Sequence, residues 1–200
     1  RKVKLVPRKE IKHYDWGNTT DVMRVIMRVV NKEELAKQVK DFAEDFRGKS
    51  EAEQIANFRD LWKWVREEIN YIPDPKGKQL IKHPARTYED AYADCKSMTI
   101  FIYFVAYNLG YPCYIDFASY NSKKRIQHVY PTIVMPSGHE VTIDAVYNYF
   151  DAEEVYTRKI RKKPKSFSHM TQIIEVAGMD LLPKKVNLRK EKYLAKLKSK

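Results

Sequence analysis

The chain has 200 residues, of which 44% are hydrophobic and 12% aromatic, and its formal net charge is +12. This composition supports one domain with a sizeable core plus extensions. It excludes a membrane span, since no apolar run reaches roughly 18 residues, and two cysteines are too few for a disulfide framework or a four-ligand zinc site.

The charge is unevenly placed. Residues 158–200 hold 14 Lys/Arg and 3 Asp/Glu, against 24 and 23 in residues 1–157. The expected organisation is an arm over 1–18, a domain over 19–156 and a basic extension over 157–200. No signal-peptide pattern opens the chain. Sparse cysteine makes a reducing, cytoplasmic setting the expectation.

Residues 1–18 read as irregular. Thr19-Thr20-Asp21 caps a helix over 19–30, with Val22, Val25, Ile26 and Val29 on one face and a strand as competitor. A second helix is predicted over 32–46, with Leu35, Val39, Phe42 and Phe46 as its buried stripe. Ser50, followed three positions on by Glu53, starts a third, whose stripe is Ile55, Phe58, Leu61, Trp62, Val65 and Ile69. Pro73 and Pro75 stop it, and a loop over 73–88 follows. Residues 95–109 are apolar on nearly every side, which predicts a central buried helix, closed by Gly110. Strands are predicted over 113–120, 127–135 and 140–145, with turns at Asn121-Ser122-Lys123 and Pro136-Ser137-Gly138. Helices followed by an antiparallel meander make an α+β fold: a helical N-terminal half and a central buried helix packed on an antiparallel sheet.

Cys95, His128 and Asp144 carry the chemistry. A thiol at a helix N-terminus feels the positive end of the macrodipole, which favours the thiolate. The Cys95 amide has no intrahelical acceptor and is available to an oxyanion. A hairpin centred on Pro136 and Ser137 pairs His128 with Asp144 or a residue just after it. Cross-strand neighbours lie about 4.5–5.5 Å apart at Cβ, within reach of a carboxylate–imidazole hydrogen bond. Cys–His–Asp is a nucleophile, base and orienting acid for amide or thioester carbonyls. Cys113, at a strand start, reads as a small buried hydrophobe. His13, His83, His139 and His169 are scattered without paired carboxylates, so neither a metal nor any other cofactor is expected.

At these residues the chain resembles the transglutaminase-like superfamily of papain-type thiol folds. The matching segments are Ala93-Asp94-Cys95-Lys96-Ser97, Gln127-His128-Val129-Tyr130 and Val141-Thr142-Ile143-Asp144-Ala145, preceded by 65–71 with Asp74-Pro75 and by His83-Pro84-Ala85-Arg86-Thr87. The pattern from Tyr120-Asn121 through Tyr149-Phe150 to Glu153-Glu154 is similar to a compact phage- or prophage-borne branch, which implies a virion or maturation role. The resemblance implies thiol-dependent hydrolysis or acyl transfer on a protein or peptide substrate. The chain departs from the family pattern at Ala93, in place of Gly, and at Tyr130, in place of Trp after the His. No tryptophan is placed to complete an oxyanion hole; Gln79, Tyr71 and Tyr88 are candidates by type, and Asp94 supports the site. The alternative is a non-catalytic scaffold, part of a virion or other protein assembly, that docks through its basic end.

The basic residues of 158–200 read as a contact for nucleic acid or another acidic surface. Leu188, Tyr193, Leu194 and Leu197 fit a short amphipathic helix against a partner. With Tyr193 the only aromatic after Phe167, single-strand recognition by stacking is not expected.

Overall fold

The computed structural model describes residues 11–14, 19–75, 77–122 and 125–176. The expected amphipathic segment at 188–197 and most of the basic end lie outside the described residues.

The fold is α+β. Strand β1 (Ile11–Tyr14) leads to helix α1 (Thr19–Val30), which buries Val25, Ile26, Val29 and Val30. A 3-10 helix (Glu33–Gln38) and α2 (Lys40–Glu44) take the place of the single helix predicted over 32–46. The break falls at Val39, whose backbone (φ −123, ψ 18) is not helical. Just before it, buried Gln38 turns its side-chain oxygen to the Ala85 amide at 3.1 Å. The stripe still buries, with Val39 and Phe42 fully enclosed.

Helix α3 (Glu51–Glu68) starts at Ser50, whose hydroxyl accepts from the Glu53 amide at 3.2 Å. It leads into β2 (Asn70–Tyr71). The segment predicted as a loop over 73–88 contains β3 (Gln79–Lys82) and α4 (Pro84–Asp90) instead. β3 exists because it pairs antiparallel with β1, a contact of high sequence separation. α4 exists because Pro84 sits in its first turn, where a missing N–H costs nothing. The arm over 1–18 is likewise not irregular throughout, since it contributes β1.

After β4 (Tyr92–Ala93), which pairs parallel with β2, the chain enters α5 (Cys95–Asn108). Every residue from Cys95 to Ala106 is buried, which is why the sequence is apolar all round. Gly110 ends the helix at φ +87, and the Tyr111 amide reaches back to the Ala106 carbonyl at 3.0 Å. This closure needs a left-handed residue, and glycine adopts that backbone without a Cβ penalty.

Strands β5 (Cys113–Ser119), β6 (His128–Val134), β7 (Glu140–Thr142) and β8 (Arg158–Lys162) form one antiparallel sheet in the order β7-β6-β5-β8. α5 packs against β6 on one side and against α1, α2 and α4 on others, so the core surrounds it. Each fully buried aromatic there, such as Phe101 or Phe104, contributes about 1.5–3 kcal/mol of transfer free energy.

The basic stretch from Arg158 enters this sheet rather than trailing from the domain as an extension. Asp116 of β5, fully buried, lies directly opposite Arg161 of β8. Arg161 grips it with Nε at 2.7 Å from Oδ1 and Nη2 at 2.8 Å from Oδ2. Lys159 binds Glu153 at 2.8 Å. These two cations neutralise internal carboxylates. α6 (Ser166–Val176) follows, its Ser166 hydroxyl 2.9 Å from the buried Tyr103 hydroxyl. Among the described residues no helix is long and apolar enough to cross a membrane.

Candidate active site

The structure brings Cys95, His128 and Asp144 together. Asp94 is the N-cap of α5: its carboxylate accepts from the Lys96 amide at 3.1 Å and, more loosely, from the Ser97 amide at 3.4 Å. Cys95 is therefore the first helical residue, 8% exposed, with its amide pointing out of the ladder. His128 opens β6, with its side chain 11% exposed.

Of the two expected registers, which set Asp144 or a residue just after it opposite His128, the second holds. The β6–β7 register pairs Thr132 with Thr142 and Ile133 with Val141, so its extension sets Asp144 opposite Tyr130, not His128. β7 ends at Thr142, and Asp144 lies two residues past it. Its carboxylate spans the diagonal, a separation that long side chains bridge on one sheet face. Asp144 Oδ2 lies 2.7 Å from His128 Nε2, and Oδ1 accepts from the Val146 and Tyr147 amides at 3.0 and 3.3 Å. With Nε2 taken, Nδ1 is the nitrogen left for the Cys95 thiol, which lines the same cleft as His128. Burial alone would lower the His128 pKa; the hydrogen bonds and charges of Asp144 and Cys95 outweigh it and raise the value from 6.5 to about 10. The ring is an imidazolium at neutral pH.

Two residues of α3 hold the acid in place. Trp62 Nε1 donates to the Asp144 carbonyl at 2.8 Å. Arg66 donates to the Ala145 and Tyr147 carbonyls at 3.1 and 2.6 Å and to Asn148 Oδ1 at 2.9 Å. The Arg66 guanidinium also lies over the Trp62 ring at 4.9 Å. Sequence reasoning placed Trp62 in the buried stripe and gave Arg66 no role. Their spacing of four does put an indole N–H and a guanidinium on one helix face, and that was the available signal. Lys96 was also missed. It is buried and paired with Asp94 and with Asp74, the latter at 2.9 Å. Burial opposes its charge, but Asp94 first, then Cys95 and Asp74, hold its pKa above the ordinary value. Burial raises the Asp94 pKa, with Lys96 opposing.

The candidates for a second oxyanion donor separate. Gln79 lines a cleft of ≈ 210 Å³ together with Cys95, Lys96 and His128. The Tyr71 phenol is pushed up to about 12, by burial first and then by the charges of Cys95 and Asp94, so it keeps its proton. Tyr88 is not at the site: it stacks on Trp64 at 5.8 Å and meets Phe42 edge-on at 6.0 Å in the core. Tyr130 flanks His128 at 5.6 Å between ring centroids, and its hydroxyl donates to Glu153 at 3.2 Å. Cys113 is buried, and that burial pushes its thiol far up. Among the described residues no group of three or more His, Cys, Asp or Glu is placed to hold a metal ion.

No family model and no curated protein matches the chain. Among solved structures, a candidate protease of Parabacteroides distasonis aligns at 13% identity and a TM-score of 0.45, covering 64% of this chain and 26% of that one. A candidate cysteine protease of Cytophaga hutchinsonii aligns at 11% and 0.42, covering 64% and 49%. LapG of Legionella pneumophila aligns at 15% and 0.47, covering 79% and 95%. The chain thus spans about a quarter and about half of the length of the first two, and its similarity to all three is confined to partial structural alignment.

Proposed function

We propose that this protein is a thiol-dependent hydrolase or acyltransferase acting on amide or peptide carbonyls, with Cys95 as nucleophile, His128 as acid and base, and Asp144 as the group that orients the ring. The observation that carries this reading is His128 held at 2.7 Å by Asp144 at the lip of a cleft that Cys95 also lines. The motif resemblance around Cys95, His128 and Asp144 to transglutaminase-like thiol enzymes supports it. A phage- or prophage-borne setting belongs to the same proposal and rests on the sequence pattern between Tyr120 and Glu154.

In the first step the Cys95 thiolate attacks the carbonyl carbon and the charge moves to oxygen, facing the Cys95 amide and the Gln79 or Tyr71 donor. The C–N bond then breaks, the His128 Nδ1 proton goes to the leaving nitrogen, and a thioester remains on Cys95. In the second step His128 takes a proton from water or an amine, which attacks the thioester. The S–C bond breaks and Cys95 leaves as thiolate.

The test is acylation by p-nitrophenyl acetate, small enough to need no specificity pocket. The expected result is an acetyl group on Cys95 and not on Cys113, located by peptide mass spectrometry, with release of p-nitrophenol. Acylation of Cys95 at the same rate in His128→Ala would overturn the reading.

A further inference from the structure

His128 stands between two clefts. The first, which opens on Cys95, is walled by apolar side chains: Val22, Met23 and Ile26 of α1 with Phe117 and Val129 of the sheet. The second, of ≈ 200 Å³, is bounded by Tyr120, Val146, Tyr147 and Glu154 and reaches His128 and Asp144. Gln127 and His128 border both, so the clefts adjoin at the imidazole.

Their charges differ. The first offers a cation, Lys96, already paired with Asp94 and Asp74. The second is bordered by two carboxylates and, apart from the His128 imidazolium that Asp144 already pairs, by no cation among the described residues. Of these, Asp144 is committed to His128 and to backbone amides. Neighbouring Glu153 is held by Lys159 and Tyr130. Glu154 is exposed and forms no ion pair among the described residues. The potential in this cleft registers on Tyr120, whose phenol is pushed well above its ordinary value by burial first, then by Asp144, Glu154 and Glu153.

The chemistry fixes which part of a substrate meets which cleft. The carbonyl carbon must reach Cys95, and the leaving nitrogen must reach the His128 proton. The acyl half therefore runs toward the apolar cleft and the amine half toward the acidic one. We infer that the second cleft selects a cationic side chain, Lys or Arg, on the residue just C-terminal to the bond that is broken, with Glu154 as its counter-charge and the Tyr120 and Tyr147 rings beside it. An ammonium or guanidinium gains from both the carboxylate and the aromatic faces. The ordinary reading of Glu154 is a solvated surface charge with no part in selection, and the experiment separates the two. The inference rests on the acyl chemistry proposed above.

The probes are three methanethiosulfonates that cap Cys95: the trimethylammonioethyl reagent (cationic), the sulfonatoethyl reagent (anionic) and the methyl reagent (neutral). Modification is followed by mass at Cys95. The expected result at low ionic strength is faster capping by the cation than by the anion. The ratio of the two rates should fall about threefold or more in Glu154→Gln and further in Glu154→Lys, and should flatten at high salt. Glu154 is exposed, so neither variant threatens folding. A ratio unchanged in both variants would overturn the inference. The neutral reagent tests the underlying chemistry separately: a rate insensitive to His128→Ala counts against the thiol–imidazole pair, whatever the charge ratio does.

Discussion

His128→Ala is expected to lower steady-state turnover of p-nitrophenyl acetate by about 10²–10⁴-fold, the range that a positioned acid–base group supplies. Cys95→Ser should lose at least as much, and the double variant should be no worse than the more damaging single one. Groups that act as one unit are non-additive, because once either is gone the other has nothing to work with. The structure supplies the reason. The ring is bonded to Asp144 at 2.7 Å and shares a cleft with the Cys95 thiol, and interactions with both hold its proton on it. Losses that multiply in the double variant would mean two independent contributions and would contradict this arrangement.

Arg161→Ala is expected to cost about 3–5 kcal/mol of folding stability, read as a lowered urea midpoint, because it leaves the buried Asp116 charge with only Lys159, 4.0 Å away and already bound to Glu153. Asp116 is fully buried on β5, and its two oxygens are taken by the Arg161 fork and by the Thr132 hydroxyl at 2.8 Å. The same guanidinium holds both oxygens of Glu140 on β7, at 2.8 and 3.0 Å, and lies over the Tyr114 ring at 4.3 Å. One side chain from β8 thus ties three strands of the sheet that carries His128. Burial works against the charge, but Asp116 and Glu140 together push the Arg161 pKa far up. The double variant Arg161→Met with Asp116→Asn should recover most of the loss, since the unpaired charge is then gone. A loss under about 1 kcal/mol in Arg161→Ala would place this pair with exposed salt bridges instead.

What the sequence revealed tracks how local the cause is. α1, α3 and α5 were legible because their signals lie within one segment: the apolar stripe after Thr19, the Ser50 cap with its stripe, and the all-apolar run after Cys95. The β6–β7 turn was legible because Pro136-Ser137-Gly138 is local chemistry, and Gly138 does take φ +80. β1 and β3 were not, since each exists only as the partner of the other across the chain. β8 was hidden by its own composition: Arg-Lys-Ile-Arg-Lys reads as a solvated run until Asp116 is seen opposite Arg161. Charged residues suit that place on other grounds, since an edge strand bearing lysines resists pairing with a second chain.

At the site, Cys95 and His128 were legible from helix start and strand pattern. Asp144 was legible from the hairpin register, which holds at the far end of its expected range, so the carboxylate arrives diagonally from beyond the strand end. Trp62 and Arg66 were not legible as site residues because what they hold is backbone carbonyl, which leaves no trace in the sequence. Tyr88 was named by residue type alone, and the aromatic core of Phe42, Trp64 and Phe101 claims it.

The measurement that bears most directly on the Cys95–His128–Asp144 unit is an NMR titration of the His128 ring in the intact protein, assigned by comparison with His128→Gln. The arrangement predicts an imidazolium that persists past pH 9 and titrates near 10, with the midpoint lowered in Asp144→Asn. A midpoint near the usual 6.5, indifferent to Asp144→Asn, would contradict it.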